Sequence, residues 1–329
     1  MSGKPVSQAV KSDIQFYDYH PVLSDFFSEV IAGLQSVPKQ IPPKFFYDQN
    51  GSRLFEEICQ QPEYYPTRTE HLILEDNAEE IARVIGEHHY VLEPGCGSCE
   101  KIKLLLETLK PKAYVPMDIS REFLQESAHE LSREFPWLDV HAACVDFTGD
   151  IELPFCKPDT RKLTFFPGSS VGNFEPEQAQ NFLEHVRKLV GPGGGLLIGV
   201  DLKKDKDRLD KAYNDKTGVT AEFNLNLLSR INSELDANFD LDLFEHNAFY
   251  NEKLGRIEMH LISQKQQQIR IGDHCVEFEE GESIHTENSY KYSVEEFQKL
   301  GTDAGFLPVC VWTDPDQLFS VHYFESSVC

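Results

Sequence analysis

Tyr90-Val91-Leu92-Glu93-Pro94-Gly95-Cys96-Gly97-Ser98-Cys99-Glu100-Lys101-Ile102-Lys103-Leu104-Leu105-Leu106 is the stretch on which the fold turns. A short apolar run ends at a proline and two glycines, and an apolar spacing of helical period follows. That order reads as strand, tight turn, helix. Glycines at such a turn let the backbone approach a ligand, and the N–H groups of the helix's first turn point outward at it. Alone, a Gly-x-Gly turn is a weak signal, because a purely structural strand-to-helix turn has the same composition.

The alternation continues on the C-terminal side. Residues 113–117 read as strand, 121–134 as helix, and 140–145 and 163–166 as strands. A helix over 175–190 carries Phe182, Val186 and Val190 at helical spacing, and Gly191-Pro192-Gly193-Gly194-Gly195 breaks the chain before a strand over 196–202. Strands separated by helices of this length predict a parallel sheet with crossover helices. After a helix over 294–304, the apolar runs 306–312 and 318–324 flank Asp314-Pro315-Asp316, which predicts an antiparallel hairpin. A parallel alternating sheet finished by a hairpin is the order of the Rossmann-like, α/β class I S-adenosylmethionine (SAM)-dependent methyltransferase fold, with a mixed seven-stranded sheet. Two pieces are surplus to that order: the N-terminal 67 residues, with an amphipathic segment at 23–34, and residues 204–291, strand-like over 249–262. They are expected to form a smaller α+β substrate-binding domain of residues 14–67 and 204–291. Residues 68–203 and 292–329 make the cofactor-binding domain.

Composition limits the partners. Lys and Arg total 31 against 55 Asp and Glu, a formal charge of -24 that repels phosphate backbones and anionic membrane surfaces. Neither nucleic acid nor membrane is expected. Residues 1–17 contain no apolar run of signal-peptide length, and no stretch approaches the roughly 18 apolar residues of a membrane span, so a cytoplasmic location is expected. The eight cysteines are scattered without a secretory signal and are expected to be reduced. Cys96 and Cys99 have Cys-x-x-Cys spacing but no second pair to complete a tetrahedral zinc site, and His141, His260 and His285 show no ligand spacing. No metal is expected.

Asp118, 23 residues beyond Gly95, stands where a carboxylate grips ribose hydroxyls in nicotinamide and SAM folds alike. Asp146-Phe147 suits the adenine amine and the adenine face, although a strand-end capping role fits Asp146 equally well. The absent third glycine, Glu93 two residues before Gly95, the Asp-Phe pair and the terminal hairpin favour SAM over a nicotinamide cofactor.

Six ordered motifs go further. They are Lys44-Phe45-Phe46-Tyr47-Asp48-Gln49-Asn50-Gly51-Ser52, Pro62-Glu63-Tyr64-Tyr65-Pro66-Thr67-Arg68-Thr69-Glu70, Phe166-Pro167-Gly168-Ser169-Ser170-Val171-Gly172-Asn173-Phe174, Asp210-Lys211-Ala212-Tyr213-Asn214-Asp215, Gly218-Val219-Thr220-Ala221-Glu222-Phe223-Asn224 and Thr286-Glu287-Asn288-Ser289-Tyr290-Lys291. Together they resemble the histidine-specific N-alpha-methyltransferase family of ergothioneine biosynthesis, over roughly residues 20–325. The resemblance implies three methyl transfers from SAM to the α-amino group of L-histidine, giving the betaine hercynine. It also implies that Tyr47, Gly95, Lys101, Asp118, Asp146 and Phe147 contact the cofactor. Tyr64, Gly168, Asn173, Tyr213, Met259, Glu287 and Ser289 would then surround histidine, with Asn173 and Tyr213 on its carboxylate and Glu287 and Ser289 on its imidazole.

Independently of the family, Glu287 and Ser289 lie two apart, so in an extended segment both face one side and could engage the two ring nitrogens. Direct methyl transfer needs an aligned lone pair and no covalent intermediate. Tyr47, Tyr64 and Asn173 are the candidate catalytic residues, the tyrosines as proton relays beside solvent. Relatives that accept tryptophan or related indoles are expected to lose the imidazole-binding acid. Another amino acid such as tryptophan is the rival acceptor, a SAM-binding protein without catalysis is a rival of another class, and a monomer is expected.

Overall fold

The computed structural model describes residues 14–19, 26–86, 89–147, 153, 156 and 160–327. Strands are numbered along the chain as β1 (Gln15–Asp18), β2 (Lys39–Gln40), β3 (Tyr90–Pro94), β4 (Ala113–Asp118), β5 (His141–Cys144), β6 (Lys162–Phe166), β7 (Gly195–Asp201), β8 (Phe244–Asn251), β9 (Arg256–Ser263), β10 (Gln267–Ile271), β11 (His274–Phe278), β12 (Ser283–Tyr290), β13 (Phe306–Thr313) and β14 (Phe319–Ser326). The α-helices are α1 (Phe26–Gln35), α2 (Gln49–Cys59), α3 (Tyr65–Ile85), α4 (Glu100–Leu109), α5 (Arg121–Glu134), α6 (Pro176–Val190), α7 (Lys206–Ala212), α8 (Val219–Leu235) and α9 (Val294–Asp303).

The main sheet runs β1-β5-β4-β3-β6-β7-β14-β13. All neighbours are parallel except at β14, which lies antiparallel to both β7 and β13. Every residue of β7 is buried, as expected for a central strand covered on both faces. The crossover helices carry clear start signals. In α6, Pro176 opens the first turn and Glu175 with Gln178 forms a capping box; Ala179, Phe182, Leu183, Val186 and Val190 then face the sheet. A second capping box, Ser293 with Glu296, opens α9.

Among the described residues the sheet has eight strands rather than the seven expected. The extra strand, β1, pairs parallel with β5, Gln15 opposite His141. It spans four residues with no clear burial alternation, too short to register as a period-2 pattern. Residues 15–18 therefore belong to the main sheet, although the sequence division assigns them to the surplus. α3 likewise crosses the 67/68 boundary of that division.

Beside this sheet stands a four-stranded one, β2-β12-β9-β8, with the hairpin β10–β11. Its core joins Phe45 and Phe46 to Phe223, Leu227, Leu228 and Ile231 of α8 and to Met259, Leu261 and Ile284 of β9 and β12. That cluster is separate from the clusters that fill the main sheet. Both α7 and α8 go unread in the sequence. The buried polar residues Asn224 and Asn226 interrupt the apolar stripe of α8, yet Asn224 Nδ2 is satisfied by the His260 carbonyl at 3.1 Å and by His246 Nδ1 at 2.9 Å.

Candidate active site

β3 ends in a turn where Gly95 and Gly97 take positive φ angles of 64° and 54°, and α4 starts at Glu100. The Gly97 N–H donates to Asp118 Oδ2 at 3.3 Å, and the Ser120 N–H donates to Asp118 Oδ1 at 2.9 Å. The turn and the end of β4 are thereby tied together. A Cβ at Gly95 would lie 3.4 Å from the Phe147 ring, so Phe147 closes over the turn. Asp146, half-exposed, precedes it. Glu93 is buried and accepts from the Tyr114 hydroxyl at 2.6 Å; burial pushes its carboxyl up to about 8. The Cys96 and Cys99 thiols are both free and buried in this turn.

Lys101, on the first turn of α4, pairs with Glu70 of α3 at 2.5 Å, and Glu70 also accepts from the Gly168 N–H at 2.9 Å. Glu70 is 1% exposed and lies against Gly199, where a Cβ would sit 1.8 Å from its Oε1. The family resemblance implies a cofactor contact for Lys101 and an acceptor contact for Gly168. Glu70 links the two and has no role in the sequence reading.

Most of the residues expected to hold the acceptor gather around β12. Glu287 and Ser289 are both buried on one side of the strand, and Met259 of β9 stands directly opposite Glu287. A register shift between His285 and Glu287 sets that phase. Tyr64 meets Tyr213 edge-on at 6.0 Å, and Tyr47 meets Phe55 and Phe223 edge-on at 5.8 and 5.9 Å. Burial, then the Glu287 charge, lifts the Tyr47 phenol well above its usual range; Tyr64 is raised by burial, then by Tyr213, Cys59 and Glu287. Asp118 adds to the rise at Tyr47, so this side chain lies within electrostatic reach of both groups of residues. Asn173 ends a 3-10 turn, Ser170–Asn173, that presses on β12: a Cβ at Gly172 would lie 2.7 Å from the Tyr290 carbonyl oxygen.

Glu287 is the least satisfied of these groups. It is 9% exposed, and among the described residues no side chain hydrogen-bonds its carboxylate. Burial raises it to about 7, opposed by the charge of Lys291.

Tyr65, adjacent in sequence to Tyr64, faces elsewhere. Its hydroxyl donates to Asp201 at 2.8 Å, and Asp201 also binds Lys204 at 2.6 Å and Lys291 at 2.7 Å. This buried network escapes sequence reasoning. The one available signal is two lysines and an aspartate, Lys204, Lys291 and Asp201, at the edges of apolar strands.

His260 and His285, without ligand spacing in sequence, stack at 4.7 Å with Glu258 beside them. Their ring planes are 14° apart, so their in-plane lone pairs run side by side and do not converge, and Arg256 already occupies Glu258 at 2.9 Å.

The antiparallel β14 inserted between β7 and β13, with the glycine turn tied to Asp118, defines a class I SAM-dependent methyltransferase fold. Residues 26–326 match the family described as histidine-specific methyltransferase, SAM-dependent, and the chain belongs to that family. It is 40% identical over 294 residues to histidine N-alpha-methyltransferase of Mycolicibacterium smegmatis, covering 87% of this chain and 90% of that one. Ergothioneine biosynthesis protein 1 of Neurospora crassa is 31% identical over 314 residues, 88% of this chain but 33% of that protein. The 4-dimethylallyltryptophan N-methyltransferase easF of Claviceps purpurea is 29% identical over 320 residues, 87% of this chain and 90% of that one.

Proposed function

We propose that this enzyme methylates the α-amino group of L-histidine three times, forming N,N,N-trimethyl-L-histidine (hercynine) for ergothioneine biosynthesis. The observation that carries the reading is Glu287, a buried carboxylate without a side-chain partner among the described residues, raised to about 7 and two residues from Ser289 on one side of β12. Such a group is costly in the free protein, and a ring N–H relieves it. An amino acid without that N–H leaves the carboxylate unsatisfied and is rejected.

The cofactor edge fits SAM. Among the described residues a Cβ at Gly97 would meet nothing within 4 Å, leaving room for close approach, and Asp118 offers a carboxylate to ribose hydroxyls. Tyr47, Gly95, Lys101, Asp118, Asp146 and Phe147 would hold it. When bound, it supplies a methyl group taken up by the amine lone pair as the carbon–sulfur bond breaks with its electrons left on sulfur. Tyr64, Gly168, Asn173, Tyr213, Met259, Glu287 and Ser289 orient histidine, with Asn173 and Tyr213 on the carboxylate. The Tyr47 and Tyr64 phenols, raised well above their usual range, keep their protons near neutral pH. They act as relays and not as bases, and the protons released on methylation pass to solvent. Residues 204–291 with 14–67, apart from strand β1, serve as the acceptor-recognition unit, and the enzyme works as a cytoplasmic monomer.

Steady-state kinetics of Glu287→Ala test the reading. Losing a hydrogen bond to a charged group raises the histidine KM by roughly 10- to 100-fold, while the SAM KM changes little. Equal increases in both would contradict the imidazole role.

A further inference from the structure

Lys291 contacts neither proposed ligand, yet its side chain is 1% exposed and its ammonium saturated. An ammonium has three protons and no lone pair. All three have acceptors: Asp201 Oδ2 at 2.7 Å, Ser289 Oγ at 2.8 Å and the Tyr213 hydroxyl oxygen at 3.1 Å. Those two hydroxyl oxygens lie 2.8 Å from each other.

The direction of these bonds has a chemical consequence. A hydroxyl can donate once and accept twice, so by itself it meets a ligand donor as readily as a ligand acceptor. Lys291 can only donate, and it occupies a lone pair on both Ser289 and Tyr213. Without ligand, one of their two protons closes the short contact between them and the other points away. A ligand with two acceptors draws both protons outward, and the ammonium charge beside both oxygens disfavours a ligand donor at the lone pairs this leaves open. We propose that Lys291, anchored by Asp201, is a positioning residue that fixes Ser289 and Tyr213 as hydrogen-bond donors and so selects an acceptor carrying an unprotonated ring nitrogen.

This deepens the histidine reading and rests on it. At one end of the ring Glu287 accepts an N–H; at the other Ser289 donates to the bare nitrogen. Neutral imidazole presents one of each. Indole presents only an N–H, and imidazolium presents two. The same polarity suits the substrate carboxylate at Tyr213, and the charge of Lys291 is of the sign that favours it.

Asp201 keeps Lys204 at 2.6 Å and the Tyr65 hydroxyl at 2.8 Å when Lys291 is removed, so its charge stays compensated and Lys291→Met is a usable variant. The probes are L-histidine and its pyrrole analogue, an alanine whose ring retains the N–H but has carbon in place of the acceptor nitrogen. The readout is the ratio of their kcat/KM values, which cancels any general loss. In the unsubstituted protein histidine is preferred; in Lys291→Met that preference shrinks by roughly tenfold. In a Ser289→Ala background, Lys291→Met changes the ratio no further, because Lys291 acts through Ser289. Lys291→Gln, which keeps an amide donor but adds an acceptor, gives an intermediate ratio and is read if the methionine variant fails to fold.

An unchanged ratio in Lys291→Met, or in Lys291→Gln where only that variant folds, overturns the inference while leaving histidine methylation intact. A further drop in the Ser289→Ala background overturns it equally. Failure of the unsubstituted protein to methylate histidine at all brings down the functional reading and this inference with it.

Discussion

At Glu287 the free protein binds a proton more tightly than the unfolded chain does, because burial raises the carboxyl from 4.5 to about 7. Between those values the native state holds the extra proton, so stability falls as pH rises through that window and is flat above it. Glu287→Gln removes the titration. In ligand-free protein the variant should melt higher than its parent at pH 8, by an amount corresponding to about 3 kcal/mol, with the gain vanishing near pH 4. A thermal shift equal at both pH values would show that Glu287 is not buried as a charge. The pairing of Glu287 with Ser289 was legible because two residues apart on a strand share a face. Lys291 was not: a lysine at a strand end is ordinarily a solvated charge, and only long-range packing brings Asp201 to it. Tyr64 and Tyr65 were equally opaque from spacing. The structure separates them, Tyr64 against Tyr213 and Tyr65 onto Asp201.

Among the elements, those with strong local signals read well. α5 spans 121–134 as expected, and Asp314-Pro315-Asp316 lies in the connection between β13 and β14 of the expected hairpin. β1 and β2 escaped because four and two residues hold too little pattern, and their pairing partners lie far along the chain. Asparagines at buried positions masked α8. The stacked pair His260 and His285 is likewise a product of pairing between β9 and β12. The 3-10 turn Ser170–Asn173 is where element packing meets function. Gly172 lets it lie on β12, and a methyl group there would come within 2.7 Å of the Tyr290 carbonyl oxygen. Gly172→Ala should push the turn and Asn173 off the acceptor side, lowering kcat/KM for histidine by roughly tenfold or more while SAM affinity, read by calorimetry, stays within about twofold. Parallel losses of both would mean that the turn supports the whole sheet rather than the acceptor site.

Over the whole molecule, separate apolar clusters fill the main sheet and the smaller one, and the residues proposed to hold the acceptor, on β9 and β12 and just past α2 and α7, come mainly from the smaller assembly. The fold class was legible because alternating strands and helices impose a period that survives in sequence, whereas the assembly of residues 204–291 with the N-terminal segment depends on contacts between distant parts of the chain. The net charge of -24 agrees with a small-molecule acceptor and says nothing of which one. That question is answered most directly by incubating the purified protein with SAM and the amino acids together, in equal amounts, and following mass gain on each. Histidine should acquire three methyl groups while tryptophan acquires none; methylated tryptophan beside unchanged histidine would contradict the assignment.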